Sequence, residues 1–357
     1  MHRLKVAVVG TGALGKHHAR IYSALDTAEL VAVAECNPQS GTAVAEKHGT
    51  RWFADHRDLI GLVDAVSIAV PTSAHFAVAT DFLNAGVPVL VEKPLAADLE
   101  QARQLVELAE QQGIALQVGH VERFNPAFQA VQNVCGPPRY IRSERFSNYA
   151  FRSMDIGVVH DLMIHDLDLA LCLVGAPVQR VEAFGICILG GHEDSVQARL
   201  TFANGCIADF SANRVSPVPR RTMQIWSHAG TITADFTSRE VVQYSPSDAL
   251  RYGRSPLDLA REPGADIDQL KKDVFGKFLR VEPLPVATTD ALTEEIRSFV
   301  ECVQTGRKPV VDGHAALAAL TVAAQILEAV AAHQWDGHAN GAIGPHPQFV
   351  GQMRKAG

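Results

Sequence analysis

Cysteine is sparse in this chain, and none lies close in sequence to another. Cys36, Cys135, Cys172, Cys187, Cys206 and Cys302 are scattered, with no Cys-x-x-Cys among them. That favours reduced thiols over a disulfide framework or a zinc site. An excess of positive charge is missing as well: 32 Lys and Arg stand against 39 Asp and Glu, for a net charge of −7. General binders of nucleic acid or of anionic membrane are usually basic, so neither is expected as a partner. An anionic small molecule stays open, because a few local arginines suffice for it. No uninterrupted apolar run reaches the roughly 18–20 residues of a membrane span. Near the start, Leu4–Val9 reads as a strand and lacks the flanks of a leader peptide. The expected location is the cytoplasm.

What is present is a globular composition. Apolar residues make up 47% and charged residues 20%, enough to build a full core. The 357 residues allow two domains of roughly 100–200 residues each. In the first part, apolar runs at Leu4–Val9, Leu30–Ala34, Ala65–Ala69, Val87–Val91 and Ile114–Val118 alternate with amphipathic stretches such as Ser73–Asn84 and Asp98–Gln112. Asp98-Leu-Glu-Gln101 has the form of a capping box, and Gly86 and Gly113 stand where helices should stop. Such alternation predicts βαβ units and a parallel sheet buried on both faces.

The pattern changes after about residue 120. Strand-like segments follow one another from Pro177 to Tyr244, with Gly190-Gly191 and Asn204-Gly205 as hairpin-type turns. A mostly antiparallel sheet is predicted there. Residues 245–288 read as a long irregular excursion, followed by helices over Thr289–Thr305 and Gly313–Ala332. The predicted fold class is α/β: a doubly wound Rossmann domain over 1–120, a C-terminal α+β domain over 121–335 and a tail over 336–357.

The first candidate site is Gly10-Thr11-Gly12-Ala13-Leu14-Gly15, between the first strand and a helix. Gly10 permits a tight turn, Gly12 lets the backbone approach a pyrophosphate, and Gly15 lets helix and strand pack closely. The free amides of the helix start then meet the phosphates. Glu35 ends the second strand 20 residues later. A carboxylate there accepts from an adenosine ribose and repels a 2′-phosphate, so NAD is expected over NADP. Val70-Pro71-Thr72 and His75 follow the next strand but one, where a plain helix start explains them equally well.

Val91-Glu92-Lys93-Pro94 closes a further strand at the carboxyl edge of the sheet, where ligands of such sheets bind. With the glycine turn at this spacing, the chain resembles the Gfo/Idh/MocA oxidoreductases from Lys5 to about Ala332. That resemblance implies that Lys93 is an active-site lysine, that Glu92 and Lys93 lie by the cofactor, and that Pro71, Thr72 and His75 touch it. A second mark is Asp161-Leu-Met-Ile-His165-Asp166-Leu-Asp168. At helical spacing Asp161 and His165 share a face. Oxidising a secondary alcohol needs a base for the hydroxyl proton, a task for His165, while Lys93 stabilises the alkoxide and Asp161 orients the imidazole or binds a neighbouring hydroxyl. The pairs His160/His165 and His17/His18 lack a third ligand, and no metal is expected.

Flanking segments carry His120, Arg123 and Asn125, and then Arg152. With the Asp161 helix they look most like the branch of the family that oxidises C3 of a UDP-linked N-acetylhexosamine. Arg123 and Arg152 could meet a diphosphate through paired hydrogen bonds, or each could pair with a nearby carboxylate. The expected partner is a sugar or nucleotide sugar, with a free polyol such as inositol as the alternative and a non-catalytic NAD-binding regulator as a third reading. The resemblance also implies a homo-oligomer, a dimer or tetramer, built through the exposed face of the second sheet.

Overall fold

A computed structural model describes residues 3–151, 156–189, 191–335 and 343–347. Arg152 and Gly190 lie outside them. Two compact units result: the chain up to Phe124 together with Thr289–Thr321, and Asn125–Thr288 together with residues from Val322 onward.

The first unit is built on six strands: β1 (Leu4–Val9), β2 (Ala28–Ala34), β3 (Arg51–Phe53), β4 (Ala65–Ile68), β5 (Val89–Glu92) and β6 (Leu116–Gly119). Their order is β3-β2-β1-β4-β5-β6 and every pairing is parallel. This is the doubly wound order, and its switch point lies between β1 and β4. Between the strands run α1 (Gly15–Ala24), α2 (Pro38–His48), α3 (Thr72–Asn84) and α4 (Leu99–Gln112). Side chains cap two of them. Asn37 accepts from the Gln39 and Ser40 amides before α2, and Asp98 accepts from the Gln101 amide before α4. Gly113, at φ +65°, ends α4 in the left-handed conformation that glycine adopts without strain. The helix Ala291–Thr305 returns to this unit from far along the chain. Its Ile296, Phe299 and Val300 share a core with Leu4, Val6, Val8, Ile21 and Tyr22.

In the second unit a nine-stranded sheet runs β14-β13-β12-β11-β7-β10-β9-β8-β15. Its strands are β7 (Pro138–Phe146), β8 (Val178–Cys187), β9 (Ser195–Phe202), β10 (Ile207–Asn213), β11 (Arg220–Ser227), β12 (Gly230–Asp235), β13 (Glu240–Pro246), β14 (Leu279–Pro283) and β15 (His346–Pro347). Pairing is antiparallel except for β7 with β10 and β8 with β15. One face packs on α5 (Pro126–Val134) and α6 (Ile164–Val174), so Ile141, Val196, Leu200, Ala208 and Phe210 meet Phe128, Val131, Leu167 and Ala170 in the core. The stretch 245–288 departs from the irregular excursion expected of it. Ser247, Ser255 and Asp266 each cap a short helix, at Asp248–Arg251, Pro256–Ala260 and Ile267–Asp273, and β14 then pairs with β13. The helix Gly313–Ala332 is long and apolar enough to cross a membrane by length and composition, although His314, Gln325 and Glu328 interrupt its apolar run. Its Leu320, Ala323, Ile326 and Val330 are buried in the protein.

Candidate active site

In the first unit the glycine turn has the geometry a phosphate needs. Gly10 sits at φ +86°, and a Cβ there would lie 2.7 Å from the Ala69 carbonyl oxygen. At Gly15 a Cβ would overlap the Gly10 carbonyl, so strand and helix touch backbone to backbone. Gly12 is the opposite case: a Cβ there meets nothing within 4 Å. Gly12, Ala13 and Leu14 are exposed, and the first turn of α1 carries neither a side-chain cap nor an acidic residue. Its amides are therefore open to an anion.

Beside this turn lies a cleft of about 340 Å³, lined by Gly10, Gly12, Ala34, Glu35, Cys36, Ala54, His56, Ala69, Val70 and Pro71 among others. Glu35 is fixed at its edge. One carboxylate oxygen accepts from the Thr11 amide (2.8 Å) and hydroxyl (3.1 Å), and the other from the Asn37 amide (3.0 Å). Partial burial works against the charge, but these donors outweigh it and hold the carboxyl below its usual pKa. The Trp52 indole donates to the Glu35 carbonyl at 2.9 Å and braces the end of β2. His56, which the sequence did not single out, reaches the cleft from the short turn after β3 and holds Asp81 at 2.9 Å.

The strand β5 delivers Glu92 and Lys93 to the same edge of the sheet, followed by a cis Lys93–Pro94 peptide. Lys93 is half-buried. Glu92 is nearly covered; it accepts from the Lys93 amide at 3.3 Å and faces His18 Nε2 at 3.0 Å. A Cβ on Gly119 of the neighbouring strand would stand 2.8 Å from the Glu92 carboxylate, so glycine makes its room. His75 is buried against main chain: Nδ1 lies 2.8 Å from the Pro94 carbonyl and Nε2 3.0 Å from that of Val70. It thus ties the turn after β4 to the turn after β5. Burial lowers its pKa more than these carbonyls raise it, and a neutral ring donates to one carbonyl at a time. Thr72 opens α3, with Pro71 as its cap residue. His120 is buried beyond β6, and Arg123 is half-buried in the single turn Val121–Phe124.

In the second unit, Asp161 lies in a π-helical turn, Val159–Met163, that runs into α6, where His165 sits. The extra residue of a π turn widens the helix, so Asp161 and His165 are not simply one regular turn apart. Such turns concentrate at functional sites. Both residues are half-buried, whereas Asp166 and Asp168 are buried. Asp166 is paired with buried Arg145 at 2.7 Å. Glu193 accepts from the Val159 amide at the start of the π turn, and burial holds its carboxyl above the usual range despite that bond. Asp161 opens onto a small cavity of about 40 Å³ with Ser147, Asn148, Tyr149, Ala150 and Arg214. Arg214 is clamped by Asp194 at 2.7 Å and by the Ile156 carbonyl at 2.6 Å, with its guanidinium 5.4 Å from the Tyr149 ring centre. Sequence reasoning missed Tyr149 and Arg214, which come to Asp161 from the ends of β7 and β10 through strand pairing alone. Asn125 spends its side chain on structure, accepting from the Ala127 amide and donating to the Phe236 carbonyl.

Among the described residues no three His, Cys, Asp or Glu side chains are gathered as a metal site, and the six cysteines are free thiols. A parallel sheet in doubly wound order, with an open glycine turn and a fixed carboxylate at the next strand, is the architecture of a dinucleotide-binding domain. Residues 4–120 match the oxidoreductase family with an NAD-binding Rossmann fold, and residues 129–233 match the Gfo/Idh/MocA C-terminal domain. The chain belongs to the Gfo/Idh/MocA family. It is 35% identical over 93% of its length to UDP-N-acetylglucosamine 3-dehydrogenase of Acidithiobacillus ferrooxidans, of which 99% is covered. The solved structure of that enzyme covers 92% of this chain, and the chain 98% of it, with a TM-score of 0.80 at 34% identity. Inositol 2-dehydrogenase of Rhizobium meliloti is 27% identical over 92% of this chain and 97% of that protein.

Proposed function

We propose that the protein oxidises C3 of a UDP-N-acetylhexosamine by transferring hydride to NAD. Its likeness, at 35% identity over nearly the full length, to a UDP-N-acetylglucosamine 3-dehydrogenase carries this reading. In the proposal the amides of Gly12, Ala13, Leu14 and Gly15 hold the pyrophosphate and Gly10 shapes the turn. Glu35 binds the adenosine ribose, and its negative charge disfavours a 2′-phosphate. Pro71 and Thr72 border the cofactor. His75 acts through the main chain by tying that border to the Lys93 turn, and Glu92 holds the Lys93 amide. When bound, the nicotinamide supplies the hydride acceptor.

The remaining steps fall to side chains. Lys93 stabilises negative charge on the substrate oxygen as the C–H bond breaks. His165 takes the hydroxyl proton, and Asp161 orients the imidazole or a neighbouring hydroxyl. Arg123 and Arg152 bind the diphosphate, and His120 completes the substrate set. The protein acts in the cytoplasm as a homo-oligomer.

Mixing the protein with NAD and UDP-N-acetylglucosamine should raise the absorbance of reduced nicotinamide. Turnover of inositol in its place would give the free-polyol reading, consistent with relatives at 27% identity. Lys93→Ala should lower kcat by about 10³-fold or more while NAD still binds. An inactive parent protein that binds NAD would instead support a regulator. Arg123→Ala and Arg152→Ala should each raise KM for the nucleotide sugar by about tenfold or more, the scale of one charged hydrogen-bond set. Unchanged KM in both would remove the diphosphate from the proposal.

A further inference from the structure

Behind the Glu92–Lys93 turn lies a group that the proposed chemistry leaves unused. Glu295, on the helix Ala291–Thr305, has no exposed surface, and neither of its carboxylate oxygens has a hydrogen-bond partner among the described residues. Its main-chain carbonyl accepts from Gln117 Nε2 at 3.1 Å, which joins that helix to β6. A fully buried, unpaired carboxylate would be among the costliest groups a protein could hold. The neutral acid is far cheaper.

The surroundings make the same demand independently. Gln117 Oε1 and His18 Nδ1 are also buried without partners. An amide oxygen can only accept, and so can both oxygens of an ionised Glu295. The open positions on β6 and on the helix Ala291–Thr305 would then all be acceptors, short of a proton. One proton on Glu295 supplies a donor, and an internal water can supply the others. Glu92 pushes the same way, since it bears on Glu295 as a like charge.

We propose that Glu295 is buried as the neutral acid and is a positioning residue: its neutrality leaves the Glu92 carboxylate clamped on His18 and on the Lys93 amide. A second negative charge beside Glu92 would drive it off these two donors and unseat the turn that carries Lys93. The positioning role rests on the assignment of Lys93 above; the protonation state does not.

The protonation state is read first, in the full-length protein without substrate. The infrared spectrum at neutral pH should contain a protonated-carboxyl stretch that Glu295→Gln removes. Burial raises the folded pKa above the ordinary 4.5, so native protein retains a proton that the unfolded chain gives up. The stabilisation is complete below about 4.5 and declines as pH rises toward the folded value. The Tm of Glu295→Gln should therefore gain on the parent steadily as pH rises above about 4.5. Absence of the acid band, or a Tm difference independent of pH, overturns the neutral acid whatever the substrate proves to be.

The positioning role is read next, from the pH profile of kcat. Glu295→Leu, which fills the space but supplies no donor, should lower kcat by about tenfold or more through the displaced turn. Glu295→Gln should recover most of that loss and lack any alkaline limb due to ionisation of Glu295. Equal losses in Gln and Leu, with the parental pH profile in both, overturn the positioning role.

Discussion

Glu35 keeps its charge against partial burial because the Thr11 and Asn37 amides converge on it. The same bonds fix the carboxylate where an adenosine ribose would meet it. Glu35→Gln should weaken NAD binding by about tenfold, the worth of a charged hydrogen bond, and narrow the preference over NADP. Titration of nicotinamide binding with both cofactors measures both effects, and an unchanged NAD to NADP ratio would remove Glu35 from the discrimination. His75 offers a pH test at the same scale. Burial lowers its pKa below 6.5, so between the folded value and 6.5 the unfolded chain binds more protons than the native protein. Stability from this group is complete above about 6.5 and is lost as pH falls through that window. His75→Ala should cost about 2–4 kcal/mol through the lost volume and strut, and its urea midpoint should change less with pH below 6.5 than the parent's does. A parallel decline in both proteins would show that another group titrates there.

Gly12 and Gly15 separate what the β1–α1 turn does for folding from what it does for the ligand. A Cβ at Gly15 overlaps the Gly10 carbonyl, whereas one at Gly12 points into open space. Gly15→Ala should destabilise the fold by about 3 kcal/mol, as overpacking does. Gly12→Ala should leave stability within about 0.5 kcal/mol and still lower NAD affinity. Chemical denaturation and cofactor titration on the two variants decide this, and equal stability losses would refute the distinction. Elements marked by local chemistry were legible in the sequence: Asp98 caps α4 and Gly113 ends it because amide satisfaction and positive φ are local matters. The three-residue β3 was not legible, since Arg51-Trp52-Phe53 is too short to show a period. Nor was the π turn at Val159–Met163, because four-residue spacing from Asp161 to His165 reads as regular helix until one extra residue is seen in the turn. In 245–288 the capping residues Ser247, Ser255 and Asp266 were present in the sequence, but among so many Pro, Gly and charged neighbours they stood out little.

At the scale of the whole molecule, the sequence pattern predicted a helix over Thr289–Thr305 but not the unit it joins; its Ile296, Phe299 and Val300 share a core with Val6, Val8 and Tyr22, nearly the whole chain away. Tyr149 and Arg214 likewise reach Asp161 only through strand order. The large sheet bears on the proposed homo-oligomer. Along β7 to β10 its residues alternate: Ile141, Val196, Leu200 and Phe210 enter the core, while Arg142, Glu144, Glu182, Phe184, Gln197, Arg199, Asp209 and Ser211 line a depression of about 580 Å³ on the other face. The charges there are already matched within the face, with Arg199 on Asp209 at 2.7 Å and Arg142 and Arg220 each on Glu144 at 2.6 Å. A face with its own charges balanced can meet a two-fold copy of itself without net repulsion. Light scattering after gel filtration should therefore give two or four times the 38.5 kDa of the chain. Phe184→Asp combined with Gln197→Arg should shift it to the monomer while the far-ultraviolet spectrum stays native. A parent that elutes as a monomer, or an assembly that survives both substitutions, would take this face out of the interface.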